Sequence, residues 1–103
     1  MKIIKTLSEK IEEEIKDADA YIDLALKWKA EEPDTAELFY ELSTEEMGHV
    51  MKLHQNVSEL IQLYRQKNGE PPKGMMKLYN YLHEKHMAEA MSVKVKQGMF
   101  KEA

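Results

Sequence analysis

The chain has 103 residues, 43% of them hydrophobic, with 15 Lys and Arg against 19 Asp and Glu and no cysteine. This length supports one domain and excludes two independent cores, while the lack of cysteine excludes disulfides, thiolate zinc sites and iron–sulfur clusters. Basic residues are scattered through a slight acidic excess, which argues against nucleic acid as a partner, and no apolar run approaches the roughly 20 residues of a membrane helix.

The amino-terminal MKIIKTLSEK reaches charged positions without a signal-peptide core, so a soluble cytoplasmic protein with no membrane partner is expected. Glu, Lys, Leu, Ala and Met dominate, with only 4 Gly and 3 Pro, which predicts an all-α class. At 100° per residue, Ile3, Ile4, Leu7, Ile11, Ile15, Ala18, Tyr21, Ile22, Ala25, Leu26 and Trp28 gather on one broad arc, predicting a first helix over residues 3–29. Pro33 breaks the pattern and Asp34 can cap a new helix, so a tight antiparallel turn is expected.

From Thr35, a second arc gathers Leu38, Phe39, Leu42, Val50, Leu53, Val57, Leu60 and Tyr64, stopping near Asn68-Gly69. A hairpin over residues 1–67 is expected, then a stiff linker at 68–74. A third helix over 75–103 follows, with Met75, Leu78, Tyr79, Leu82, Ala90 and Val93 on one side. The first two arcs are broader than one neighbour can cover, so pairing two hairpins around a two-fold axis into a four-helix bundle is predicted. The expected partner is a second copy, as a homodimer or higher homo-oligomer.

Polar residues interrupt these arcs. Glu14 lies between apolar positions of the first helix, and Glu46 and His49 lie between Leu42 and Leu53 of the second. A carboxylate in such a setting must be neutralised, hydrogen-bonded or coordinated to a cation. Glu46-Met47-Gly48-His49 is a Glu-x-x-His unit, whose three-residue step puts both side chains on one helix face within reach of one ion. A single such unit is ordinary in a chain with this many Glu and four His. Its register with Glu14 across an antiparallel turn is what points to a metal site. Gly48 in the same turn is expected to permit close helix approach.

The stretch from Glu14 to Tyr21, followed 32 residues after Glu14 by Glu46-Met-Gly-His49, resembles the first helical hairpin of the ferritin-like superfamily, most closely rubrerythrin-type domains and half-length encapsulated ferritins. The resemblance covers roughly residues 7–65. It implies Glu14, Glu46 and His49 as iron ligands, Tyr21 packed nearby, and a di-iron ferroxidase or oxygen- or peroxide-reactive activity. This chain carries one hairpin where a full-length bundle carries two. Two copies would supply four carboxylates and two imidazoles for two iron ions per dimer. The ligand types suit Mn or Zn as well. The absence of a cysteine-based electron relay argues against a self-sufficient rubrerythrin peroxidase.

The competing expectation is a metal-free helical assembly protein in which Glu14, Glu46 and His49 form a buried hydrogen-bonded network. Among the other residues, His83, His86 and Glu89 suggest either an accessory metal site or, as the plainer expectation, a satisfied structural His and a surface ion pair. His54 is expected in solvent. The run Glu12-Glu13-Glu14 is expected to be mostly a solvated face, with Glu13 and Asp17, which flank Glu14, as an alternative entry site for cations. The 8 Met read as flexible core or interface filler.

Overall fold

The computed structural model describes residues 2–102, and all the regular structure among them is helical: α1 (Lys2–Trp28), α2 (Pro33–Asn68) and α3 (Lys73–Glu102). Pro33 occupies the first turn of α2, where its fixed φ suits the helix and its missing N–H costs nothing. The cap position is Glu32, not Asp34, and no side chain caps it. The α2 terminus is closed by Gly69, whose φ of 76° favours glycine and whose N–H donates to Arg65 O at 3.0 Å. α3 therefore begins at Lys73, slightly ahead of the position expected from its apolar residues.

The core follows a heptad seam more closely than a 100° arc. Buried positions of α1 are Ile4, Ser8, Ile11, Ile15, Ala18, Ile22 and Ala25, in steps that alternate four and three. On α2 the same alternation links Ala36, Tyr40, Ser43, Met47, Val50, His54, Val57 and Ile61, all buried or half-buried. On α3 it links Met76, Tyr79, His83, His86, Ala90, Val93, Gln97 and Phe100. A repeat of 3.5 residues is the signature of knobs-into-holes packing between helices that run nearly side by side. Polar residues occupy several seam positions, and apolar Ile3, Leu38 and Leu78 fall off it. Ile3 and Leu38 are each 51% exposed.

Cross-helix pairs give the topology. Ser43 lies against Ala18 and Phe39 against Tyr21, so α1 and α2 are antiparallel. Lys85 reaches Glu12, Lys96 reaches Asp19 and Asp23, and Lys29 donates to Phe100 O, so α3 runs parallel to α1. Ser43 joins all three helices: its Oγ donates to Ala18 O at 2.8 Å and accepts from Gln97 Nε2 at 3.0 Å. None of the described helices is long and apolar enough to cross a membrane.

Gly48 serves no close helix approach within this chain, because a Cβ built there meets nothing within 4 Å. Glu12 is not simply solvated either. Its carboxylate binds Lys85 of α3 at 3.0 Å and is held below the usual carboxylate range chiefly by that hydrogen bond.

Candidate metal centre

The seam divides the hairpin into two flanks. On one flank of α1, Glu12 and Asp19 meet α3. On the other, one residue before the seam positions, stand Leu7, Glu14, Tyr21 and Trp28, seven apart. The equivalent flank of α2 carries Phe39, Glu46, Leu53 and Leu60, again seven apart. In an antiparallel pair such flanking positions lie side by side. Tyr21 and Phe39 do so with ring centroids 6.4 Å apart, and Glu14 and Glu46 form the next rung.

All eight of these residues are half-buried. On α1, Glu14 is about 160° around the helix from Glu12, and on α2 His49 is about 140° from His54, so the rung faces away from α3. The result is an apolar stripe on the open side of the hairpin, interrupted at its middle by two carboxylates.

His49 completes the group from the next turn of α2. Its Nδ1 stands 3.7 Å from Glu14 Oε2 and 3.7 Å from Glu46 Oε2. One donor atom from each of the three residues lies within 4.8 Å of the others. The Glu46 Oε2 atom is buried without a hydrogen-bond partner, which leaves a polar atom stripped of water and uncompensated. His49 is less enclosed than its place within the apolar arc suggested, with its side chain 54% exposed. Lys10 approaches Glu14 Oε1 at 3.9 Å but sits closer to Glu13, at 3.2 Å. With Lys52 and Leu53 it lines a shallow groove over Glu14 and His49.

The donor set fits a cation. Ligand atoms bound at about 2.1 Å stand roughly 3.0–3.4 Å apart around one ion, so the two 3.7 Å contacts of His49 close with small side-chain movements, and all three donors start within 4.8 Å of one another. Two carboxylates and an imidazole are the ligand types of Fe, Mn and Zn sites. A cation would also satisfy the orphaned Glu46 oxygen, which no protein donor reaches.

Elsewhere, His54 does not lie in solvent as expected, and His86 is structural but not satisfied. His54 is half-buried, with its ring 4.6 Å from that of His83. His86 is buried at 3% exposure with Nε2 unpartnered, and Glu89 Oε1 is likewise buried and unpaired. A count of apolar residues misses these positions, and Ser43 and Gln97 with them. A seven-residue count finds them, because polar residues on a seam still point inward.

Compared with known proteins, the chain significantly matches no protein-family model, no curated protein and no solved structure. What the fold defines is an all-helical, bundle-like chain with a clustered Glu/Glu/His group.

Proposed function

We propose that this chain is a ferritin-like half-bundle that pairs with a second copy across the open face of α1 and α2, forming a shared two-metal carboxylate centre that oxidises ferrous iron. The observation that carries this reading is the Glu14/Glu46/His49 cluster, within 4.8 Å, at the middle of a half-buried stripe turned away from α3. Two such stripes face to face would bury the apolar rungs above and below the carboxylates. They would also bring four carboxylates and two imidazoles together, the ligand complement of two-metal sites in four-helix bundles. Four glutamates would balance two divalent ions.

Glu14 and Glu46 would chelate or bridge, and His49 would bind at one end. Tyr21, two turns beyond Glu14 and packed on Phe39, would shield the site from bulk water. Ferrous iron is the proposed substrate, in preference to Mn or Zn, on the strength of the family resemblance. Each ferrous ion gives up one electron, and two per dimer, with two protons drawn from water, match the two-electron reduction of dioxygen to hydrogen peroxide. A cytoplasmic setting, where ferrous iron persists, suits this role.

The metal-free alternative requires hydrogen bonds among the three side chains. At 3.7 Å neither His49 contact is a hydrogen bond, and even on closing, the single His49 Nδ1–H would serve one carboxylate and leave the other unpaired, whereas a cation binds both. The deciding experiment is metal content per chain after anaerobic ferrous loading, with solution mass and the Glu46→Ala variant alongside. One iron per chain in a dimer, lost in Glu46→Ala, is the expected result. An intact dimer that takes up no iron would overturn the metal reading and favour the assembly protein. Oxygen consumption on adding ferrous iron then separates turnover from a structural site.

A further inference from the structure

Three of the four histidines converge on the opposite side of the hairpin from Glu14. His54 belongs to the seam of α2, and His83 and His86 are consecutive seam residues of α3. A largely closed cavity lies among them, walled also by Ser8, Ile11, Val57, Tyr79 and Met87, with room for about one water-sized sphere. The His54 and His83 rings overlap at 4.6 Å, and Tyr79 stacks on His83 at 6.0 Å.

His86, also on the cavity wall, is 3% exposed and its Nε2 makes no hydrogen bond. A buried imidazole nitrogen without a partner is a standing cost to the fold. Packing chemistry gives no reason to gather three such rings at one core layer, where Leu or Ile would fill the seam without polar atoms.

We propose that His54, His83 and His86 form a second metal site, for a borderline divalent cation such as Zn2+, that fastens α3 to α2. The chemistry differs from that of the Glu14 centre. Neutral imidazole nitrogens suit Zn, Cu and Ni, whereas carboxylates favour harder cations. Burial, followed by the neighbouring imidazoles, holds His54 below the ordinary histidine range. Burial does the same for His86, opposed by the carboxylates of Glu89 and Glu12 and assisted by Lys85 and His83. Unprotonated rings keep a lone pair for coordination, and Glu12 and Glu89 add negative charge beside the site. The ring nitrogens of this trio do not all lie within 4.8 Å of one another, as those of the Glu14 group do, and the stacked His54 and His83 rings would have to turn edge-on for their in-plane lone pairs to meet on one ion, so bound metal would draw α2 and α3 together.

The test uses the full-length chain carrying Glu46→Ala and His49→Ala, which removes the other centre. After metal removal it is titrated with Co2+, followed by visible absorption, and melted with and without Zn2+. One Co2+ per chain is expected, with Zn2+ raising Tm by at least about 5 °C. Adding His54→Gln or His83→Gln, which keep a polar side chain of similar length, should weaken Co2+ binding at least about 100-fold with helical content intact. Failure to bind Co2+ in the starting variant overturns the site, as does binding that either added substitution leaves unchanged. Iron uptake by the His83→Gln single variant reads the Glu14 centre separately, so failure of one site is distinguishable from failure of the other.

Discussion

Glu14 of α1 and His49 of α2, 35 positions apart in the sequence, meet across the open face of the hairpin with carboxylate and imidazole 3.7 Å apart. Their meeting follows from the register of the antiparallel pair, in which each residue of one helix faces a fixed position on the other. The same register sets Tyr21 on Phe39 one rung further along. Function and packing on this face are therefore tied together, and a shift of either helix by one residue would separate the donors.

Glu46 illustrates the tension between stability and binding. Its Oε2 is buried and unpaired, so Glu46→Leu should leave metal-free protein unchanged or more stable by about 1 kcal/mol, while abolishing stabilisation by ferrous iron or Mn2+. Urea unfolding with and without metal reads both effects. Marked destabilisation of the metal-free variant would show that Glu46 has a structural partner.

Half-buried Leu42 lies on the side of α2 shared with His49. Leu42→Glu should retain helical content but give a monomer by light scattering and lose shared metal uptake, because a carboxylate would enter the dimer core. A persistent dimer would place the two-fold interface elsewhere.

The seam predicts unequal costs for residues that look equivalent by hydrophobicity. Ile22 is fully buried, so Ile22→Ala should cost about 2–5 kcal/mol, whereas Ile3→Ala, at a position 51% exposed, should cost under about 0.5 kcal/mol. Similar urea midpoints for the two variants would contradict the seam.

Ser43 should matter more than a serine ordinarily does. Ser43→Ala removes the donor to Ala18 O and the acceptor for Gln97, with an expected loss of about 1 kcal/mol. If Gln97→Ala is made as well, the two effects should be less than additive, since they share one bond. Strict additivity would mean that the Ser43–Gln97 contact carries no energy.

Lys96 donates to Asp19 and Asp23, each at 2.9 Å, and these bonds raise its pKa above the ordinary 10.5. A raised folded-state value means that folded protein binds the proton more tightly than unfolded chain, so the contribution is full below about pH 10.5 and fades as pH rises through the folded value. Lys96→Met should cost about 1 kcal/mol at pH 8. That difference should shrink in strongly alkaline buffer and in high salt. A difference unchanged by either condition would assign Lys96 a packing role through its methylenes.

The sequence by itself determined the helical class, the turn at Pro33, the stop at Gly69 and the spacing that sets Glu14 against Glu46 and His49, because these depend on local geometry and on steps along a single helix. The tertiary structure decided the rest. Apolar counting could not say which edge of a broad stripe is the core and which the open flank, since both carry Leu and aromatic residues. That distinction came from where α3 lies, held by Lys85 to Glu12 and by Lys96 to Asp19 and Asp23. It moved His54 from its expected place in solvent to the seam, beside His83 of α3. Burial is a property of neighbours, and the neighbours of a polar seam residue are fixed only when a third helix chooses its side.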